Sequence, residues 1–514
     1  MAESIFKIES NLKIYDLPDG KDRTKINVRY PLLPPYAYAR IYWSDERKEL
    51  LYSVEEPELK DSEKEILRLV MLALEEMINI SLVKIEKANQ ILQYLEKNVQ
   101  AILIELGTSV SRETYLKIMY YIFRNSVGLN KIEPLLNDYY IEDIECNGLQ
   151  FPVYIVHRKY ENLRTNVIFR EIQELTDFVE KLAQKCGRYV SYAKPLLDGT
   201  LPDGSRVNAT YTEDITTRGP TFTIRKFTKE PWTPIHLINF GTATAQTFAY
   251  LWLGIEHKFN FMVIGETASG KTTFLNSMLS FIPPDARVVS IEDTRELNLS
   301  HDNWMPTVTR SGFGIPNLAG KEYGEITLFD LLKESFRQAP DYVIVGEIRG
   351  NEAFVLFQGM ASGHSSFGTF HAGSVVTLVR RLETPPINLS ASLIESLDVV
   401  CVMTHIKGTT RNLRRMKELV EIKDVKGEEI NSNTPIQWDP ATDKITQKGE
   451  FYLFQKITSR TGIPNQELKK ELELRTKLLQ ILADKKIQGF KEVNRVIQDY
   501  YSDRDKVLKE FGII

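Results

Sequence analysis

Cysteine is scarce in this sequence: Cys146, Cys186 and Cys401 are the only three in 514 residues, and they stand far apart. No CxxC pair exists, which argues against a cysteine-based zinc site. A sparse, odd set suits a reducing cytoplasm, and all three are expected as buried packing thiols. Long apolar runs are missing as well. No stretch of about 18 apolar residues occurs, and the most apolar segment, 248–264, is interrupted by Glu256, His257 and Lys258. The first ten residues lack the apolar region of a signal peptide. The expectation is a cytoplasmic chain that works at a membrane, if at all, as a peripheral subunit. A charge excess of one sign is also absent: 65 Lys and Arg face 69 Asp and Glu, a formal net charge of -4. No global basic field therefore argues for nucleic acid, and none is expected as a partner. With 42% hydrophobic and 26% charged residues and no repeat or low-complexity tract, long disorder is excluded.

What is present has the texture of several domains, since a chain of this length exceeds one hydrophobic core. Residues 1 to about 60 carry Pro31, Pro34 and Pro35 among aromatics and read as short strands and loops. From Ser62 to about Leu95, Leu67, Val70, Leu74 and Met77 recur at helical spacing, and a second helical run covers Arg112 to Phe123. Strands are expected at 151–158 and 221–227, with a helix from Glu171 to Cys186 between them. The run 228–234 holds two prolines and is read as the linker. After it, apolar strands at 260–265, 287–293, 341–347 and 366–371 alternate with helices, the mark of a mostly parallel α/β sheet. Residues 464–511 read as helical. The domain reading is an N-terminal mixed and helical region over 1–110, an α+β domain over 111–227, a linker over 228–235 and an α/β motor domain over 236–514.

The strongest local signal is GETASGKT at 265–272, a G-x-x-x-x-G-K-[ST] loop between an apolar strand and a helix. Gly265 and Gly270 let the backbone curl so that its N–H groups face phosphate oxygens. The helix N-terminus adds a favourable dipole. Lys271 is assigned to the β- and γ-phosphates, and Thr272 to Mg2+. Glu266, Thr267, Ala268, Ser269 and Thr273 complete the expected nucleotide-binding stretch. A chance match in a chain of this length has a probability on the order of 0.02, and the flanking strand and helix lower it further.

Such a site also needs carboxylates near the metal and the attacking water. Glu292 and Asp293 end one apolar strand and Glu347 ends another, and the C-terminal ends of parallel strands line one crevice. Taken singly, each carboxylate reads rather as a cap of the following helix; two such strands in one domain with a phosphate loop favour function. Glu292 is assigned to polarising water and Glu347 to the metal, with exchanged roles as the alternative. His364 and His371 stand in a Gly-, Ser- and Thr-rich segment, 359–374, and are expected to sense the γ-phosphate.

Together these blocks resemble the secretion ATPase superfamily of type II and type IV secretion, type IV pili and the archaellum. The match follows the family's order: GETASGKTT at 265–273, an aspartate box IEDTREL at 291–297, a Walker B strand ending in GEIR at 346–349, and a histidine box GHSSFGTFHAGS at 363–374. Upstream, 132–148 and 202–227 are similar to the family's N-terminal, PAS-like domain, so the resemblance spans about residues 110–420. The wording DGSRVNATY at 203–211 and GPTFTIRKF at 219–227 is similar to archaeal members, and the four-cysteine zinc module of many bacterial type II enzymes is missing.

The resemblance implies a RecA-like P-loop motor, a homo-hexamer, ATP and Mg2+ as ligands, and a polytopic membrane platform protein as partner at the inner face of the cell membrane. It also implies that Arg206 and Arg225, with Arg218 as a third candidate and Arg295 or Arg349 as other sources, bring positive charge to the phosphates. An archaellum motor is the nearest alternative, and a hexameric nucleic-acid translocase or a nucleotide-binding scaffold the more distant ones.

Overall fold

The computed structural model describes residues 5–8, 15, 17–18, 22–77, 88–227, 230–310, 312, 323–407, 412–426 and 429–514. It divides into two compact units, Met1–Phe227 and Thr228–Ile514.

The first unit is built on a nine-stranded sheet. In chain order its strands are β1 (Asn27–Leu33), β2 (Ala37–Ser44), β3 (Glu49–Glu55), β4 (Ile141–Cys146), β5 (Pro152–His157), β6 (Glu161–Ile168), β7 (Leu196–Thr200), β8 (Arg206–Thr210) and β9 (Thr221–Arg225). Their spatial order is β1-β2-β3-β6-β5-β4-β9-β8-β7. β3 pairs in parallel with β6 through Leu51↔Arg164 and Tyr52↔Thr165, so residues on both sides of position 110 share one sheet. Helices Asp61–Met77, Ala88–Glu105, Arg112–Ile122 and Ile172–Lys185 belong to this unit. The helix expected from Ser62 to about Leu95 therefore corresponds to parts of two helices; residues 78–87 lie outside the described ones. Helix Ile172–Lys185 buries Leu175, Phe178, Val179 and Leu182, a three- and four-residue stripe that joins the sheet's core.

The second unit holds another nine-stranded sheet: β10 (Phe261–Gly265), β11 (Val288–Glu292), β12 (Trp304–Val308), β13 (Tyr342–Ile348), β14 (Ser365–Phe370), β15 (Val399–Lys407), β16 (Asn412–Lys426), β17 (Glu429–Asp439) and β18 (Lys444–Gln447). The order is β12-β11-β13-β14-β10-β15-β16-β17-β18. Every pairing from β12 to β15 is parallel, and those from β15 to β18 are antiparallel. The expected α/β, mostly parallel sheet is present, with an antiparallel arm added to one side.

Side-chain alternation explains why this sheet needs cover on both faces. Phe261, Val263, Val288, Tyr342 and Ile344 enter one core, and Met262, Ile264, Val289, Ile291, Val343 and Val345 the other. Helices Leu328–Ser335, Glu352–Ala361 and Val375–Glu383 supply apolar residues to the second core. The first core takes in helix Ala245–Glu256 and the C-terminal helices Asn465–Asp484, Phe490–Ser502 and Arg504–Glu510. Arg475 ties these together from inside. Its buried guanidinium bonds Glu256 at 2.5 Å and Glu471 at 3.0 Å and lies 4.6 Å from the Trp252 ring centre. No described helix is long and apolar enough to cross a membrane.

Candidate active site

The six adjacent strands from β12 to β15 run the same way, so their C-terminal ends share one edge. The 266–270 loop sits there, between β10 and the helix Lys271–Met278. Its shape depends on two glycines. A Cβ on Gly265 would come within 2.5 Å of Ser269 Oγ and 2.6 Å of the Met403 carbonyl. Gly270 has φ +88°, and it caps the helix in the left-handed region. Ala268 is left-handed too, at φ 61°. Inside the turn, the Glu266 carbonyl accepts from Ser269 Oγ at 2.8 Å and from Lys271 Nζ at 2.9 Å. The expected stretch Gly265, Glu266, Thr267, Ala268, Ser269, Gly270, Lys271, Thr272 and Thr273 thus forms one continuous loop and helix start. Glu266, Thr267 and Ala268 are exposed, Thr272 and Thr273 half-buried, and Lys271 buried.

A polar chain runs from this loop along the strand ends. Lys271 Nζ lies 3.3 Å from His371 Nδ1. On the far side of that ring, Nε2 is 2.7 Å from Glu347 Oε1, an ion-pair distance without hydrogen-bond alignment. Arg349 Nη2 donates to Glu347 Oε2 at 2.5 Å, and its Nη1 is 3.5 Å from Asp293 Oδ2.

The electrostatics follow from these neighbours. Burial pulls the Lys271 ammonium below its ordinary pKa, and the Glu347 carboxylate partly restores it. Burial and then the Lys271 charge hold His371 below the usual imidazole value, which favours a neutral ring at pH 7. For Glu347, burial pushes upward, but Arg349, His371 and Lys271 outweigh it and hold the carboxyl below the usual range. Glu347 is therefore charged.

Glu292 has the opposite environment. It is 2% exposed. Its Oε1 accepts from the Glu296 and Leu297 backbone N–H groups at 2.9 and 3.0 Å, while Oε2 has no partner among the described residues. Burial raises its pKa to about 8, against the lowering effect of those two amides. Gly346 makes room for it, since a Cβ there would meet Glu292 Cγ at 3.0 Å.

His364 is not brought to this edge. It precedes β14 while His371 follows it, so six strand residues separate them, about 20 Å at the usual rise. Its ring instead meets the edge of Phe336 at 4.9 Å between centres.

Arg206 and Arg225 belong to the first unit, where they stand directly opposite each other in the β8–β9 pair. Arg206 bonds Asp198 at 3.1 and 3.3 Å, and Arg225 Nε bonds Asp143 at 3.3 Å. Arg218 lies over the Phe151 ring at 4.6 Å, and Arg295 over Trp304 at 5.1 Å.

Two site residues carry no sequence signal that would have revealed them. Arg381, in the last turn of helix Val375–Glu383, donates to the His371 carbonyl. Arg414, at the start of β16, donates from Nε to the Ala268 carbonyl at 3.0 Å. Among the described residues no cluster of three or more His, Cys, Asp or Glu is arranged to hold a metal ion by itself.

The sequence pattern of the type II/IV secretion system protein family matches residues 127–433. An uncharacterized protein of Methanocaldococcus jannaschii, MJ0900, is 38% identical over 393 residues, covering 75% of this chain and 70% of its own length. The type IV secretion system protein PtlH of Bordetella pertussis is 29% identical over 262 residues, 44% of this chain and 75% of that protein. Among solved structures, the Yersinia pseudotuberculosis ATPase DotB aligns at 14% identity with a TM-score of 0.41, over 73% of this chain and 92% of that one. Since the pattern spans more than half of the chain and takes in the 266–270 loop, both carboxylate strands and the histidine segment, the chain belongs to the type II/IV secretion system protein family.

Proposed function

We propose that the second unit binds and hydrolyses ATP, and that the chain works as a ring of six that drives assembly or secretion through a type II secretion- or type IV pilus-like membrane machine. The observation that carries the chemistry is the continuous line from the phosphate loop through Lys271, His371 and Glu347 along one sheet edge. The residues fit a magnesium nucleotide. A loop that excludes a Cβ at Gly265 leads into a helix N-terminus, a charged carboxylate stands beside it, and Thr272 offers a hydroxyl in the first helical turn. Thr272 and Glu347 would hold Mg2+, which when bound spreads the charge of the β- and γ-phosphates.

In this reading Lys271 exchanges the Glu266 carbonyl for phosphate oxygens. His371, neutral and braced by Arg381, presents its ring next to the same cation and reports the γ-phosphate. Glu292, in its ionised form, takes the proton of the attacking water; with a pKa near 8 that form is the minor one at neutrality but a strong base when present. Arg206 and Arg225 would add positive charge to the closed site. The output is work on a polytopic membrane partner, with the chain bound peripherally at the cytoplasmic face.

The test is Mg2+-dependent ATP turnover by the full chain and by Lys271→Ala. Turnover in the wild type and its abolition in the variant, with greatly weakened nucleotide binding, is the expected result. A variant that hydrolyses at a near-wild-type rate would refute the assignment of the loop.

A further inference from the structure

The phosphate loop is held from outside by one side chain that belongs to no nucleotide-binding motif. β15 pairs with β10 up to Gly265↔Met403 and then runs on for four more residues, to Lys407, beyond the end of β10. β16 returns alongside, with Thr404 opposite Arg415 and His405 opposite Arg414. This hairpin is a wall beside the 266–270 loop. Lys271 reaches the Glu266 carbonyl of that loop from the helix that follows it, and Arg414 Nε–H reaches the Ala268 carbonyl at 3.0 Å from β16, far away in sequence. The Arg414 stem also covers Gly270, with Cδ 3.4 Å from where a Cβ would stand.

Strand phase decides which arginine does this. Arg414 and Arg415 are neighbours and so face opposite sides of the strand. Arg415 turns to Asp443, at 2.8 Å through both Nε and Nη2, and to the Phe240 carbonyl. The pairing passes from Val402↔Glu418 to Met403↔Met416, so Lys417 is an extra residue, a bulge. A bulge shifts the phase of everything beyond it by one residue. It aims Arg414, rather than Arg415, at the loop.

The residue it grips is the strained one. Ala268 is a non-glycine at φ 61° in the middle of the loop, a conformation that costs energy and persists only when its surroundings impose it.

We propose that Arg414 is a positioning residue for nucleotide: its Nε–H keeps Ala268 left-handed and so keeps the loop in its phosphate-receiving shape before nucleotide arrives. The proposal rests on the ATP-binding reading of this loop. Its effect is on the ground state, because it stabilises the empty cradle and not the reacting atoms.

Two near-isosteric variants of the full chain separate this from other roles. Arg414→Gln places an amide N–H where Nε stands and removes the charge. Arg414→Met keeps the stem and removes the donor. For Arg414→Met, the dissociation constant of a fluorescent, non-hydrolysable ATP analogue and the KM for ATP should rise roughly three- to tenfold, the worth of one net hydrogen bond. Its kcat at saturating ATP should stay within about twofold of wild type. Arg414→Gln should retain wild-type KM within about twofold. Equal losses in both variants would mean that the guanidinium charge acts on nucleotide directly, and would overturn the proposal. Wild-type affinity in Arg414→Met would overturn it as well. If the wild-type chain itself neither bound the analogue nor hydrolysed ATP, the ATP reading would fall instead, a separate outcome.

Discussion

Replacing Glu292 by Gln should make the second unit more stable and less active. The carboxyl is 2% exposed, and burial raises its pKa to about 8 from an ordinary 4.5. The sign follows from proton counting. Between pH 4.5 and 8 the folded chain keeps this proton while the unfolded chain has released it. Stability contributed by the group is therefore full below about 4.5 and is lost as pH rises toward 8. At about 1.4 kcal/mol per pH unit, the loss is ~3 kcal/mol at pH 7 and ~5 kcal/mol above pH 8. Gln has the same shape, keeps an acceptor for the Glu296 and Leu297 amides, and places its NH2 where an oxygen has no partner among the described residues.

The assay is thermal unfolding of the nucleotide-free full chain from pH 5 to 9, following the transition of the second unit. For a unit of this size 1 kcal/mol corresponds to roughly 2 °C. Glu292→Gln should melt about 6 °C above wild type at pH 7, and the gap should close toward pH 5. The same variant should have lost ATP turnover, since an amide takes no proton. A gap that does not change with pH, or a variant less stable than wild type at pH 8, would refute the reasoning.

Two further outcomes are expected. Arg206→Ala or Arg225→Ala should lower kcat more than ATP affinity, by up to ~10³-fold, as for a charge that acts in the transition state. Mixing either with Lys271→Ala subunits and finding restored turnover would mean the arginine acts across subunits; unchanged turnover in both single variants would leave them as partners of Asp198 and Asp143. The full chain with a non-hydrolysable ATP analogue should sediment as a hexamer, because a closed ring with nucleotide is favoured by linkage; a strict monomer at high concentration would count against the ring.

What was legible in the sequence is what short-range patterns encode. Uniformly apolar runs such as 261–264 and 342–345 can only be buried parallel strands, and the glycines and lysine of 265–272 specify one loop. What was not legible depends on long-range pairing or on strand direction. The join between β3 and β6 links residues more than 100 positions apart, so nothing local at Leu51 or Arg164 announces it. β12 and β16 give weak patterns for different reasons: β12 is half-exposed with Pro306 at its centre, and in β16 the charges of Arg414, Arg415, Lys417 and Glu418 mask its alternation. The histidine segment shows the same limit within the site. Its Gly, Ser and Thr content reads as a ligand-binding turn throughout, yet Ser365–Phe370 is a wholly buried strand, and its direction puts His371 beside Lys271 and His364 at the other end. Arg349 was visible only as one of several arginines; its contact with Glu347 depends on the turn after β13.

The central claim, that this sheet edge hydrolyses ATP, is tested most directly by Glu347→Gln. The carboxylate is charged, adjoins both His371 and Arg349, and is assigned to metal and water rather than to phosphate. ATP binding and phosphate release should be measured together on the purified full chain with Mg2+. The account predicts that the variant binds ATP about as tightly as wild type and hydrolyses it far more slowly, trapping the bound state. Binding and turnover both at wild-type levels would contradict it and leave Glu347 a strand-end carboxylate.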